Sequence, residues 1–405
     1  MKDKEGLSYQ SLALKGIRVL DLTRVLAGPF CTMLLADLGA EVIKVEIPER
    51  GDDTRQYPPF INSESAYFMN LNRNKKSITL DLKKCEGQEV FKDLVKKVDV
   101  IIENFTPTTM EKLGLGYEEI KKINAKIIYA SISGFGHYGR YKDRPGYDII
   151  GQAMGGIMGV TGWPDSPPTR TGTAIADILA ALNATIGILA ALRYRDVSGE
   201  GQKVDIALVD SVVSAMETLT QIYIVEKRIP ERQGNRYEFI YPYDSFKAKD
   251  GWFVLGVGND NIWERFCKFI GKEYLANEER YNSNVKRVRN HSEIKKIVEE
   301  WASDKEVNTI VSQLILEKIP CAPIYSVDQI VNDPHIAIDR QMFWEVEHPH
   351  VGKIKISGNP IKLSKTPPSI RKTPPLLGED TDNILLGFLS YSKKKVKKLK
   401  KTNIF

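Results

Sequence analysis

Cysteine, long apolar runs and an excess of charge of one sign are all scarce in this sequence of 405 residues. Its four cysteines lie far apart and form neither a CxxC pair nor a Cys/His cluster, which excludes a disulfide scaffold and argues against a metal site. The most apolar segment, 178–192, is too short for the roughly 20 residues that a membrane span needs. We therefore expect a buried core helix there, and neither a membrane partner nor a bound metal.

Charge is nearly balanced once the C-terminal tail is set aside. The formal net charge is +6, but seven lysines lie within 393–401, so the remaining chain carries 6 minus 7, about −1. A basic face is therefore absent, and we expect no nucleic-acid partner and a solvated lysine tail. The segment 1–10 lacks the apolar centre of a signal peptide and is acidic for a transit peptide, so the expected location is the cytoplasm.

Short apolar strands alternate with helical patterns along the first half of the chain. Such alternation predicts an α/β fold in which helices cover a Rossmann-like parallel sheet. The first strand–helix turn reads VLAGP (25–29), without the glycines of a dinucleotide site, and no GKS/T string marks a phosphate loop. The predicted strands are 17–23, 41–46, 77–81, 98–103, 126–132 and 203–208.

A polar stretch at 227–236 marks a change of organisation. It follows a helix predicted at 209–225, and after it come a hairpin pattern at 243–256 and helical patterns, which predict a separate unit of α+β type. Further along the chain a short strand is predicted at 361–363. We therefore predict a large domain built from 1–225 plus 330–405 and a small domain built from 226–329. A glycine-rich segment at 149–162 lies before the boundary, and it indicates either a site or tight packing.

Asp177 is an isolated carboxylate at the start of a long apolar stretch, RTGTAIADILAAL (170–182). The spacing by itself favours a helix cap, because an aspartate at a helix start accepts hydrogen bonds from free N–H groups. The alternative is a covalent nucleophile, with the same N–H groups stabilising oxygen charge during acyl transfer. Both roles are open to one residue.

Several strings, in this order along the chain, carry a family resemblance. They are LKGIRVLDLT (14–23), AGP (27–29), LGAEVIKVE (38–46), GDDTR (51–55), NRNKKSI (72–78), ENF (103–105), GFG (134–136), RPGYD (144–148), GEGQKVD (199–205), IPCAP (319–323), DPH (333–335) and LLGE (376–379). With these strings the chain resembles the family III CoA-transferases, the family of formyl-CoA transferase and carnitine CoA-transferase. The agreement is best over 14–215.

The resemblance implies a reaction and a nucleophile. Asp177 matches the aspartate that attacks an acyl-CoA thioester to give a mixed anhydride. The CoA thiolate then converts the anhydride into an aspartyl-CoA thioester, and an acceptor carboxylate reverses both steps. CoA enters as a substrate, the second substrate is a carboxylic acid, and no further cofactor or metal is implied. An interlocked homodimer, in which each ring-like subunit threads the other, is implied as well.

The resemblance also implies positions that contact CoA. Each of them has an ordinary alternative, a solvated lysine or a core leucine. Tyr147 and Asp148 follow the RPG turn and are expected to support the site; Asp148 either orients it or caps a helix that begins near Ile149. The implied CoA contacts are Arg24, Val25, Ala27, Leu80, Lys83, Asn104, Lys112 and Tyr147.

At two places the sequence differs from related enzymes, and each difference restricts the activity that we expect. The glycine-rich loop of formyl-CoA transferases is absent from the small domain, which disfavours oxalate. The α-methylacyl-CoA racemases resemble this chain too, but they use the histidine of a GHD string where this chain has Tyr147, and a tyrosine with a pKa near 10 is a poor base at neutral pH. A racemase-like enzyme and a catalytically silent CoA-binding protein are the alternatives to the transferase.

The substrates are indicated by one arginine. Arg170 lies seven residues before Asp177, where its guanidinium could hold the second carboxylate of a dicarboxylic substrate. A surface arginine without a role is equally compatible with that position. On the first interpretation, succinyl-CoA is the favoured acyl donor.

Overall fold

A computed structural model of the chain describes residues 12–405, which fall into two compact units. The first takes in the described chain up to Ile157, together with Arg170–Gln221 and Pro334–Phe405. The second consists of Met158–Thr169 and Ile222–Asp333. The domain boundaries drawn from the sequence stay a prediction; they left 158–169 in the large domain.

The first unit is built on a six-stranded sheet in which every neighbouring pair is parallel. Across the sheet the strands lie in the order Lys75–Thr79, Glu41–Glu46, Arg18–Asp21, Val100–Glu103, Ile128–Ser133 and Lys203–Ala207. The predicted α/β class with a Rossmann-like sheet is therefore confirmed. In chain order the strands are β1 Arg18–Asp21, β2 Glu41–Glu46, β3 Phe60–Ile61, β4 Glu64–Ser65, β5 Lys75–Thr79, β6 Val100–Glu103, β7 Ile128–Ser133, β8 Lys203–Ala207, β9 Tyr243–Lys247, β10 Trp252–Gly256, β11 Cys321–Pro323, β12 Phe343–His348 and β13 Gly352–Ser357.

Helices follow most strands of the large sheet, as right-handed crossover connections between parallel strands require. Short π-helical turns lie at Ile222–Glu226, His335–Asp339 and Ile384–Phe388. The α-helices are α1 Ala27–Asp37, α2 Ala66–Leu71, α3 Cys85–Val95, α4 Thr109–Lys112, α5 Tyr117–Ile123, α6 Asp148–Met154, α7 Ile157–Val160, α8 Ile175–Ser198, α9 Leu208–Ser214, α10 Glu217–Gln221, α11 Asp260–Phe269, α12 Tyr274–Asn277, α13 Asn284–Arg289, α14 His291–Ala302, α15 Val307–Leu316, α16 Val327–Asn332, α17 Thr381–Asn383 and α18 Lys393–Lys400.

The sheet has an apolar core on each face, because successive strand residues point to opposite sides. In β1, Val19 packs into the cluster that contains α1 and α8, whereas Leu20 packs into the cluster with α3 and α5. The C-terminal tail joins the second cluster through Val396 and Leu399 of α18. The lysines of the tail are exposed, as expected, while its apolar residues anchor it to the core.

Helix α8 carries the apolar segment noted in the sequence, and it is longer than predicted, with 24 residues. By length and composition alone it could cross a membrane, and no other single helix within 12–405 meets that test. Its alanines, Ala176, Ala180 and Ala184, are instead fully buried against the sheet strands. The prediction of a core helix is confirmed for this alanine face alone, since Ile186 and Val197 of the same helix are exposed.

Two predicted elements are wrong. The sequence predicted one helix from 209 to 225, but α9 ends at Ser214 and Glu217 takes a positive φ of 38°, which interrupts the helix. A strand was predicted at 361–363, but the N–H group of Ile361 donates to the side chain of Asn359 and that segment pairs with no strand.

The second unit has its own small sheet and core. Strands β9 and β10 form the predicted hairpin, and β11 adds an antiparallel third strand in the order β11-β10-β9. Helices α11, α14 and α15 bury Trp263, Ile294 and Ile310 against this sheet. The unit thus has the α+β character expected for the small domain.

Candidate active site

A cavity of about 210 Å³ lies at the carboxyl ends of β1, β6 and β7, where open parallel sheets bind their ligands. A wider, open depression of about 880 Å³ lies at the other edge, beside the amino ends of β1 and β6. The smaller cavity is the candidate site because it alone, of these two, contains Asp177. Predicted CoA contacts that also line it are Arg24, Val25, Ala27, Asn104 and Tyr147.

Asp177 lies in the first turn of α8, and its carboxylate does not cap that helix. The N-cap position is Ala174, which provides no side-chain hydrogen bond. Within 12–405 no residue donates a hydrogen bond to the Asp177 carboxylate, which lines the cavity. The cap-only interpretation of Asp177 is therefore wrong, and its carboxylate is available for chemistry.

Asp148 supplies the cap that Asp177 does not. Its Oδ1 accepts hydrogen bonds from the N–H groups of Ala176 at 2.9 Å and Asp177 at 3.4 Å, and its Oδ2 accepts from the Nε2 of Gln152 at 2.6 Å. Asp148 is the first residue of α6, and its carboxylate caps α8 rather than α6, so the predicted cap of the helix near Ile149 is wrong. Its role in orienting the site stays a prediction. These two N–H groups are consequently engaged and do not serve as free donors to an oxyanion.

Gly151 lets α6 approach α8, and Gly155, the residue after α6, lets the end of α6 approach α9. A Cβ atom on Gly151 would lie 2.9 Å from the Cβ of Ala176, and one on Gly155 would lie 2.5 Å from the Cβ of Val212. Only glycine permits such an approach. This part of the glycine-rich segment therefore serves tight packing, which places Asp148 at the start of α8.

Burial and the nearby charge of Asp148 raise the pKa of Asp177 to about 7. Loss of water around a carboxylate disfavours its charged form, and a second carboxylate adds repulsion. The negative field extends to Tyr67, whose pKa is raised to about 12 by burial and by Asp177. Tyr67 was missed in the sequence, where it reads as an ordinary aromatic residue.

The turn after β1 forms one wall of the cavity. The side chain of Asn104 holds it by two hydrogen bonds, accepting from the N–H of Arg24 at 2.9 Å and donating to its carbonyl at 2.8 Å. The guanidinium of Arg24 is paired with Asp53 at 3.0 Å. Arg24 and Asn104 therefore act on each other as well as on any ligand.

At the end of β6, the next strand, the buried side chain of Glu103 holds the backbone of a residue that lines the cavity. Glu103 accepts a hydrogen bond from the N–H of Phe105 at 2.9 Å, and burial raises the pKa of Glu103 to about 7. On the third strand, Gly134 meets Gly146 so closely that a Cβ on Gly134 would lie 2.7 Å from the Cα of Gly146. Both glycines line the cavity and belong to the matched strings GFG and RPGYD.

Five of the residues singled out in the sequence lie outside the lining of this cavity: Asp148, which caps α8, and the four described next. Leu80 is buried in the core, while Lys83 and Lys112 are exposed on the surface. Arg170 is exposed, and its guanidinium donates to the carbonyl of Gly172 at 3.1 Å. Whether these residues contact CoA or substrate stays a prediction.

One basic residue in the cavity was not singled out in the sequence. Arg144 lines it, and its guanidinium lies over the ring of Tyr141, 3.7 Å from the centroid. The signal was present, since Arg144 opens the RPGYD string. Arg144 adds a positive charge beside Tyr147, which is largely exposed as the N-cap residue of α6.

A cavity at the carboxyl edge of a parallel sheet, with a partly buried carboxylate and basic residues in its wall, defines the class: an α/β enzyme for anionic ligands. Comparison of the sequence with known protein families specifies this class further. Residues 14–381 match the family described as CoA-transferase family III. The chain therefore belongs to the family III CoA-transferases, and it is an enzyme of the transferase class.

Named relatives agree with that assignment. The chain is 41% identical over 387 residues to a succinyl-CoA:glutarate CoA-transferase of Mus musculus, covering 95% of this chain and 88% of that protein. It is also 41% identical to a succinyl-CoA:mesaconate CoA-transferase of Haloarcula hispanica, covering 86% and 89%. The crystal structure of a CAIB/BAIF family protein from Brucella suis superposes with a TM-score of 0.83 at 37% identity, covering 93% and 99%.

The raised pKa of Asp177 generates a prediction about pH. If Asp177 is the nucleophile, its carboxyl must be ionised, so kcat/KM for acyl-CoA should rise through a pKa near 7 and be about tenfold lower at pH 6 than at pH 8. In Asp148→Asn the like charge is gone and the pKa of Asp177 falls, so the ascending limb should move to lower pH. The measurement is a pH profile of kcat/KM.

Asp53→Asn is the matched control for that profile. It also removes a carboxylate from the cavity wall, but Asp53 is not among the groups that raise the pKa of Asp177. Its ascending limb should stay at the wild-type pH. Equal displacement in the two variants would contradict the assignment of the limb to Asp177.

Proposed function

We propose that this enzyme transfers CoA from succinyl-CoA to a dicarboxylic acid acceptor, with Asp177 as the covalent acyl carrier. The observation that carries the proposal is the position of the Asp177 carboxylate, which faces the cavity without a hydrogen-bond donor from residues 12–405. Relatives named succinyl-CoA:glutarate, succinyl-CoA:mesaconate and succinyl-CoA–D-citramalate CoA-transferases support the donor.

In the first half-reaction an oxygen of Asp177 attacks the thioester carbonyl carbon. The C–S bond breaks, the thiolate of CoA leaves with the electron pair, and Asp177 becomes a mixed succinyl anhydride. The thiolate then attacks the aspartyl carbonyl carbon, and the C–O bond to succinate breaks. Succinate departs, and CoA is held as an aspartyl thioester.

The second half-reaction runs these steps in reverse with the acceptor. Its carboxylate attacks the aspartyl thioester, thiolate is released, and the anhydride now joins Asp177 to the acceptor. Thiolate attack on the acceptor carbonyl gives the new acyl-CoA and regenerates the Asp177 carboxylate. Every intermediate stays activated, so water must be kept from the anhydride and the thioester.

The surroundings of Asp177 suit this chemistry. Partial burial limits hydration, and Asp148 raises the free energy of the Asp177 carboxylate, which makes the carboxylate more nucleophilic when it is ionised. Arg144 and Arg24 provide positive charge in the same cavity for the phosphates of CoA. We also propose that Tyr147, in the cavity wall, contacts CoA.

We further propose that the enzyme acts as a homodimer. Helix α8 presents an apolar face that the first unit leaves uncovered, with Ile186 64% and Val197 72% exposed. Large apolar side chains in a row on one helix are typical of a surface that is buried by another chain. A second copy of this chain would cover the helix that carries Asp177.

Asp177→Asn tests the covalent step. Transfer should fall by about 10³-fold or more, because an amide cannot form the anhydride. Affinity for CoA and the melting temperature should be nearly unchanged, since Asp148 rather than Asp177 caps the helix. In the wild type, hydroxylamine added during turnover should leave a hydroxamate on the peptide that contains residue 177, detected by mass spectrometry.

A hydroxamate at Asp148, or transfer activity retained by Asp177→Asn, would overturn the assignment. The same sample also distinguishes the transferase from the two alternatives, a racemase and a silent CoA-binding protein. A racemase exchanges the substrate α-proton with deuterated water without labelling residue 177, and a silent CoA-binding protein gives neither signal.

Substrate choice is tested with a panel of carboxylates and Arg170→Ala. With succinyl-CoA as donor, dicarboxylates such as glutarate should turn over at least about tenfold faster than monocarboxylates such as acetate. Arg170→Ala should reduce that ratio, whereas Arg140→Ala, at another exposed arginine, should not. An unchanged ratio in Arg170→Ala would remove Arg170 from substrate binding.

Light scattering tests the homodimer. At micromolar concentration the mass should be about 91 kDa, twice the 45.7 kDa of one chain. Ile186→Asp should shift the mass toward one chain, and Ile186→Leu, which keeps the apolar surface, should not. A wild-type mass of one chain would contradict the proposal.

A further inference from the structure

The cavity wall contains a valine in a left-handed backbone conformation. Val25 has φ of 67°, lines the cavity and lies two residues before the first residue of α1. A β-branched residue rarely adopts positive φ, because its side chain collides with its own backbone there. Such a conformation persists only when the surroundings impose it, and it is concentrated at functional sites.

Polar side chains hold the backbone at three successive residues of this turn. The Nζ of Lys44 donates to the carbonyl of Thr23 at 2.7 Å, and Asn104 bonds both backbone groups of Arg24. The Oδ1 of Asp52 accepts from the N–H of Val25 itself at 3.1 Å. The Asp52 contact therefore acts directly on the strained residue.

Asp52 is itself held by a buried ion pair. Its Oδ2 lies 2.8 Å from the Nζ of Lys44, and both side chains are completely buried. Lys44 donates to the carbonyl of Thr23 as well, so one lysine connects the acid to the turn. Buried ion pairs are often no more stabilising than apolar residues of the same size, so the relevant consequence of this pair is the position that it gives to Asp52 beside the turn.

We infer that Asp52, fixed by Lys44, is a positioning residue for acyl-CoA binding that holds Val25 in its left-handed conformation and so shapes the cavity wall before α1. This inference rests on the proposed function and specifies how the same site is built. Asp52 does not touch the reacting atoms; it acts through the backbone of Val25. Its effect is therefore on affinity for CoA rather than on the chemical step.

The buried pair of Arg73 and Asp37 provides a comparison. These side chains are also completely buried and lie 2.7 Å apart. Within 12–405 Asp37 accepts side-chain hydrogen bonds from Arg73, Asn74 and Asn359, none of which lines the cavity. Removing Asp37 thus disrupts a buried ion pair of the same unit without acting on the turn at Val25.

A double-mutant cycle between Asp52→Ala and Val25→Gly tests the inference. The readout is the Kd for free CoA, measured by calorimetry and independent of turnover. With Val25 present, Asp52→Ala should weaken CoA binding by about tenfold. In the Val25→Gly background the left-handed conformation has no steric cost, so the same change should weaken binding by less than about threefold.

The controls separate positioning from general stability. Asp37→Ala should change the Kd by the same factor in both backgrounds, whatever it does to the melting temperature. If Asp52→Ala does not fold, Asp52→Asn replaces it; it keeps an acceptor oxygen but loses the charge opposite Lys44, and its smaller effect on the Kd should again be reduced in the Val25→Gly background. Equal factors in the two backgrounds would overturn the inference.

Failure of the inference differs from failure of the proposed function. Wild-type enzyme that transfers CoA, with no coupling between positions 25 and 52, contradicts only the positioning role. Wild-type enzyme that binds CoA with the expected coupling but transfers nothing from succinyl-CoA contradicts only the proposed function.

Discussion

The site depends on one hydrogen bond between two helices, from the N–H group of Ala176 to the carboxylate of Asp148. A helix begins with N–H groups that lack partners, and an acidic side chain in the sequence just before it normally accepts from them. Here the acceptor comes from α6, 28 residues away, so Asp177 is free to face the cavity. Gly151 makes this arrangement possible, because a larger residue there would collide with Ala176 of α8.

Local features of this fold could be predicted from the sequence, because they depend on periodicity and turn chemistry. Strand β2 has its predicted bounds, and the hairpin of β9 and β10 lies where the Gly251 turn indicates. The position of Asp177 at the start of an apolar helix also followed from the pattern. Its partner did not, because a cap from another helix leaves no signal in the spacing between residues 148 and 177.

The buried charges were beyond sequence reasoning for a similar reason. Lys44 lies among the apolar residues of β2, and Lys75 opens β5 next to Lys76 and Ser77. Lysines are ordinarily solvated, so neither position indicates burial. Both are completely buried and paired, Lys44 with Asp52 from the loop after β2 and Lys75 with Asp21 at the end of β1. Lys83 and Lys112, which matched positions of CoA contacts, are exposed instead. Charge type alone does not distinguish these environments.

In the proposed mechanism, the two aspartates at the start of α8 have opposed electrostatic consequences. Asp148 stabilises the start of α8 because its carboxylate accepts hydrogen bonds from the N–H groups there. The negative charge of the same carboxylate raises the free energy of an ionised Asp177. Acylation converts Asp177 from an anion into a neutral anhydride, which removes the repulsion between the two side chains. The covalent intermediate is therefore favoured, relative to the free carboxylate, by the residue that builds the site.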